Sequence, residues 1–298
     1  MNNKSLILAI LVNLTTVASG IEVGQQVQNT ISINGRNGTE VYANFPLIEG
    51  QWSVEYTDIR GNNSNSNFRN INLMQFEGGK LKLASEYSIK VDGSTTRWTD
   101  EPCKVEPTLH KNNYGTSLWK QRCLVIEPIT FLQNNNDVTR AALSSLASRG
   151  IKNDFNSLRL TYTRYGDSDK FMRIRFHLFP STFGLENPTV GSMNTSPWSP
   201  VNVASDPAKV QFISALTNYA ERLVKSLDLA YETGGSVAPI PAFMYPESLT
   251  GNRVEVNEIV SELPSKEERL KYLKKIFEKG LITKDIYEAQ QKNILSNF

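Results

Sequence analysis

Apolar and polar residues alternate most cleanly in SLRLTYTRYGDSDKFMRIRFHLF, residues 157–179. Leu158, Leu160, Tyr162 and Arg164 fall on one face, and Arg159, Thr161, Thr163 and Tyr165 on the other, which is the period of a strand. GDSD turns the chain, and Met172, Ile174, Phe176 and Leu178 return as the apolar face. The same period opens PLIEGQWSVEYTDI (46–59), where Trp52, Val54 and Tyr56 are expected on one side of a half-buried strand. A second hairpin is predicted around Gly78–Gly79. Ile71, Leu73 and Phe76 precede it and Leu81, Leu83, Tyr87, Ile89 and Val91 follow, because a two-residue turn needs positive φ. CLVIEP (123–128) reads as the end of another strand.

The period then changes. DVTRAALSSLASRG (137–150) reads as a helix with Asp137 as N-cap and Gly150 as its stop. DPAKVQFISALTNYAERLVKSLDLAY (206–231) reads as a long helix with Asp206 as cap and Pro207 at the first helical position. Val210, Ile213, Leu216, Ala220, Leu223, Val224 and Leu227 make its apolar stripe. A Pro/Gly/Ser-rich loop (180–205) precedes it, and a Gly/Pro-rich linker (232–263) follows. Residues 21–45 read as a polar lead-in with one alternating patch at Ile31–Ile33, either an N-terminal strand or loose. This order predicts an α+β domain over 46–231: a mainly antiparallel sheet covered by two helices, followed by the linker and a small helical hairpin over 264–298.

The hairpin is the most distinctive part. Ser265 and Glu268 form a capping-box pattern; Leu270, Leu273, Ile276 and Phe277 follow at helical spacing, and Gly280 sits at the C′ position. Leu281 and Ile282 lead into Thr283, a second N-cap candidate, with Tyr287, Ile294 and Leu295 as the apolar side of the second helix. The run LKYLKKIFEKGLITKDIY resembles the SHOCT (short C-terminal) domain. Ile286 stands where that family usually has Glu, and Ile294–Leu295 where it has Leu-Leu. The resemblance implies an oligomerisation or interaction module without catalytic role. A hairpin this small buries too little surface to be stable alone, so its seam is expected to find a second copy, another envelope protein, or its own domain as a clasp. The PLIEGQW entry strand is similar to one in uncharacterised exported bacterial proteins, a likeness that implies no function.

Compartment follows from the first twenty residues. Lys4, the apolar run Leu6–Val12 and the small residues Ala18-Ser19-Gly20 read as a cleaved signal peptide, with a retained anchor as the alternative. A membrane span needs about 20 predominantly apolar residues, and Asn13, Thr15 and Thr16 interrupt this one. The protein is therefore expected in the periplasm or secreted. In that setting Cys103 and Cys123 are expected to form one disulfide closing a loop of about 20 residues; free thiols and a redox pair are the rival readings.

A net charge of +2 gives no reason to invoke nucleic acid. No G-x-S-x-G elbow, P-loop, G-x-G-x-x-G or zinc spacing occurs among the residues, so no cofactor, metal or catalytic residue is assigned. Ser117 and Lys120 match S-x-x-K without its companion motifs, and Asp167 and Asp169 fit an ordinary turn better than a cation site. His177 is expected as a partly exposed strand residue and His110 as a loop residue, while Arg159, Arg173 and Arg175 make a basic strand face. The reading that follows is a non-catalytic binding or scaffolding protein. A small-molecule or lipid binder with its ligand between sheet and long helix is the alternative, and an unrecognised hydrolase a second.

Overall fold

Among the described residues, eight strands form one sheet in the order β1-β2-β3-β4-β8-β7-β6-β5, every neighbouring pair antiparallel. The strands are β1 (Gln26–Asn34), β2 (Val41–Gly61), β3 (Ser66–Glu77), β4 (Lys80–Gly93), β5 (His110–Asn113), β6 (Arg122–Thr130), β7 (Asn156–Tyr165) and β8 (Phe171–Leu178). The helices are α1 (Asp137–Ser148), α2 (Pro200–Ala204), α3 (Pro207–Thr233) and α4 (Lys266–Glu278). The structure, a computed structural model, describes residues 21–35, 41–61, 66–93, 102–104, 106, 108–115, 121–130, 137–151, 156–166, 170–189, 196–235, 237–245, 265–278, 287–288, 291–292 and 294–295. The expected signal segment lies outside them. Among the described residues, no helix is long and apolar enough to cross a membrane.

Two four-strand meanders, β1–β4 and β5–β8, meet where β4 pairs with β8. The hairpin between β3 and β4 turns at Gly78 and Gly79, with φ of 56° and 73°, a pairing of positive angles that costs residues with a Cβ about 1 kcal/mol or more each. The apolar face predicted for β7 and β8 packs under α3: Leu158, Leu160, Tyr162, Met172, Ile174, Phe176 and Leu178 join Phe212, Leu216, Ala220, Leu223 and Leu227 in the main core. Asp206 caps α3 by accepting from the Ala208 and Lys209 amides, and Gly234 closes it in the left-handed region. The pleat sends alternate residues to the opposite face. There Met74, Leu81, Ala84 and Phe179 pack with Ala142 and Leu146 of α1, so the two helices cover opposite faces of the sheet.

Four local features decide or correct the expectation. First, of the two readings of the lead-in the structure takes the strand: it supplies β1, an edge strand whose Ile31 and Ile33 are buried in the core. Second, a bulge after Val54 breaks the alternation of β2. Trp52 and Val54 enter the core, but Tyr56 pairs opposite Asn72 on the other face, because one extra residue inverts every side chain beyond it. Third, the expected loop before α3 contains a short 3-10 turn and α2, and is held by a fully buried Trp198 whose indole donates to the Glu186 carbonyl at 2.7 Å. Fourth, the chain after α3 turns back onto the domain. Residues 237–245 lie against it, with Ile240, Phe243 and Tyr245 buried.

Candidate functional site

Beside the apolar patch under α1, the face of the sheet away from α3 carries charge. Strand pairing sets its rows. Ala84, His177, Arg159 and Glu127 stand side by side across β4, β8, β7 and β6, and Glu86, Arg175, Thr161 and Val125 form the next row. Such neighbours lie about 5 Å apart at Cβ, so long side chains must interact. Arg159 donates to Glu127 Oε1 through Nε at 3.2 Å and Nη2 at 2.7 Å. Arg175 Nη1 donates to Glu86 Oε2 at 2.8 Å. The basic face expected from Arg159, Arg173 and Arg175 is thus interleaved with carboxylates two residues or one strand away. Burial, with the like charge of Arg175 beside it, pulls the Arg173 guanidinium down to about 10, which still leaves it charged at neutral pH.

His177 corrects the sequence reading most sharply. Expected to be partly exposed, it is buried, because β8 is central in the sheet and its second face is also covered. Nδ1 lies 3.0 Å from Ser157 Oγ and Nε2 lies 3.4 Å from Glu86 Oε1. A carboxylate facing Nε2 selects the tautomer with its proton there, so Nδ1 accepts from the Ser157 hydroxyl. Burial lowers the His177 pKa, against the pull of Glu86. Burial by itself would raise Glu86, but the contacts with His177 and Arg175 hold it well below the usual carboxylate range. Serine, histidine and glutamate in this order are the residue types of a hydrolytic relay. Here the serine is fully buried at one end of the hydrogen-bonded chain, where its hydroxyl orients the imidazole and is closed off from solvent. The signal was present in sequence only as scattered polar residues 91 positions apart end to end, Glu86 to His177.

A second polar cluster joins the sheet to α3. Asp228, buried on the helix, accepts from Tyr162 Oη at 2.5 Å, from Arg164 Nη1 at 2.5 Å and from Arg122 Nη2. One helical step pair earlier, Glu221 accepts from Asn112 Nδ2 at 3.0 Å and Tyr114 Oη at 2.6 Å, with His110 Nε2 at 3.7 Å. Burial opposes the Glu221 charge, yet these donors keep its pKa below the ordinary value. His110 therefore sits at a helix-to-strand contact and not in an open loop.

Cys103 and Cys123 are joined, their Cα atoms 5.7 Å apart, which ties the 3-10 turn at Pro102–Lys104 to β6. Among the described residues, no group of three or more His, Cys, Asp or Glu side chains is placed to hold a metal ion. Ser117, Lys120, Asp167 and Asp169 lie outside the described residues. In the tail, Glu268 donates its amide to Ser265 Oγ at 3.1 Å, as a capping box requires, and α4 follows. Leu273 is buried and Leu270 half-buried on that helix; Phe277 lies within it. Tyr287 is half-buried, Ile294 buried and Leu295 exposed, while Leu281 and Ile282 lie outside the described residues. No family model, curated protein or solved structure matches this chain.

Proposed function

We propose that this chain is an exported protein of the bacterial envelope, periplasmic or secreted after removal of its signal peptide, that binds or scaffolds without catalysis and is joined to a second copy by its SHOCT-like tail. The observation that carries the reading is α4. It is a capped helix of 13 residues whose apolar residues recur at helical spacing, downstream of a domain with its own complete core. A helix of that length is marginal in water without a surface to pack on. The disulfide supports an oxidising compartment. The space between sheet and α3, where a small molecule or lipid would have to lie, is filled by Phe45, Trp52, Tyr87, Tyr162, Phe176 and Phe212, all fully buried, which favours scaffolding over ligand carriage.

Light scattering on the full-length mature chain and on its Leu273→Asp variant tests the reading. A larger particle that becomes a monomer with the domain's circular dichroism retained is the expected result. A monomer in both cases leaves the tail as an intramolecular clasp and overturns the assembly role.

A further inference from the structure

The segment after α3 is seated as a peptide ligand would be. Between the pairs Gln28↔Gln51 and Thr30↔Pro46, β2 carries residues 47–50 outside its ladder with β1. That bulge turns its backbone to residues 237–245. Ile240 donates its amide to the Leu47 carbonyl at 2.9 Å and accepts from the Glu49 amide at 2.8 Å, a parallel bridge in which Ile240 lies beside Ile48. The bulge is itself braced: Gln75 Nε2 donates to the Glu49 carbonyl at 3.0 Å and the Trp52 indole donates to the Ile48 carbonyl at 2.8 Å. Gly50 has φ of 125°, and a Cβ there would lie 1.6 Å from Gln75 Nε2, so this shape depends on glycine.

Side chains complete the site. Phe243 fits among Phe183, Phe212 and Tyr219, with ring centroids at 5.2, 5.5 and 5.2 Å. Tyr245 stacks edge-on to Phe212 at 4.8 Å and donates to the Ala208 carbonyl at 3.2 Å. Ile240, Phe243 and Tyr245 are buried while Pro241 and Met244 between them face outward, Met244 being 82% exposed. Main-chain pairing plus pockets for selected side chains is how sheets recognise extended peptides. The segment is reached through Gly234, in the left-handed region, and Gly235, a point where the chain can change direction without moving α3.

We propose that the bulge of β2 and the aromatic wall of Phe183, Phe212 and Tyr219 form a peptide-binding groove, that residues 237–245 fill it as an internal latch, and that the outside occupant it accepts is the same segment of a second copy of this chain. The recognised class is an extended Ile-Pro-Ala-aromatic-x-aromatic strand. The groove fits that strand by construction, and exchange between copies makes the same contacts as closure within one, with only the course of the chain at Gly234–Gly235 altered. This inference does not depend on the role of the α4 tail.

The test uses the full-length mature chain carrying Phe243→Ala and Tyr245→Ala, and a fluorescein-labelled peptide of residues 237–245 as probe. The variant should bind the peptide saturably and should not bind a peptide with the same two alanines. The unaltered chain should bind at least about tenfold more weakly, because its own latch competes at high effective concentration. A folded variant that binds no peptide, or equal binding by both chains, overturns the groove. Because loss of two buried aromatics can also unfold the domain, the second measurement keeps both and carries only Leu273→Asp, so that the tail joins no copies. Donor- and acceptor-labelled copies are unfolded in urea with the disulfide intact and refolded together at about 1 mM, near the effective concentration of a short tether. A mixed dimer by energy transfer that excess peptide suppresses supports the second-copy occupant. No mixed dimer, or one indifferent to the peptide, overturns it.

Discussion

Asp228→Ala removes the acceptor at the centre of the joint between α3 and the sheet, and its cost can be worked from the geometry. The carboxylate is nearly buried, with 12% of the side chain exposed, and three donors converge on it. Tyr162 lies in the core, and its hydroxyl donates to Asp228; left without that acceptor it would cost about 1–3 kcal/mol. Arg164 keeps Glu232 at 2.7 Å and Arg122 is 34% exposed, so solvent and a second carboxylate compensate part of their loss. Breaking a wholly buried pair costs about 3–5 kcal/mol; this partly compensated one is expected near the lower bound, about 3 kcal/mol. Urea unfolding of the oxidised chain should show the midpoint falling with an unchanged slope. Tyr162→Phe removes the orphaned hydroxyl, so the double variant should lose about 1 kcal/mol less than the sum of the singles. A loss below about 1 kcal/mol, with strict additivity, would refute the idea that this cluster anchors α3.

Further outcomes follow from other contacts. Cys103→Ser with Cys123→Ser frees a loop with a sequence separation of 20 residues, and thermal or urea unfolding should show a loss of about 3 kcal/mol, absent when wild type is measured reduced. His177 has a folded pKa below its unfolded value of 6.5, so the unfolded chain binds more protons and stability should decline as pH falls below about 6.5; Glu86, also lowered, adds a further loss below about 4.5. His177→Gln should flatten the upper part of that profile and shrink the lower part, because His177 is the foremost of the contacts that hold Glu86 down and Arg175 alone remains. Unfolding midpoints measured from about pH 7 to below about 4.5 would check this. Gly50→Ala should cost about 1–3 kcal/mol, since the residue must hold positive φ and displace the Gln75 amide, and hydrogen exchange at Glu49 and Ile240 should quicken with it. Retention of slow exchange there would separate the glycine from the bulge.

What the sequence settled by itself was local. The period of two in β7 and β8, the paired glycines of the β3–β4 turn, the cap of α3 at Asp206 and Pro207, and the stop of α1 at Gly150, with φ of 70°, each depend on residues within one or two turns of one another, and all of these stand in the structure. The tertiary structure alone decided which strands became neighbours and which polar residues met. The Ile31–Ile33 patch reads equally as a strand or a loose lead-in until β2 lies beside it. Nothing local in RIRFHLF separates a solvent-facing histidine from one enclosed with Ser157 and Glu86, and Asp228 looks like a helix-surface carboxylate until Arg122, 106 residues away, reaches it. The latch has the proline content of a linker and follows two glycines, and only the backbone of the β2 bulge, some 190 residues earlier, makes it a strand-like ligand. Local propensity acts through the chain's own next few peptide units, whereas buried polar groups and bulged strands are satisfied by whatever partner the closed chain brings within about 3 Å, and that partner is chosen by the packing of the whole sheet.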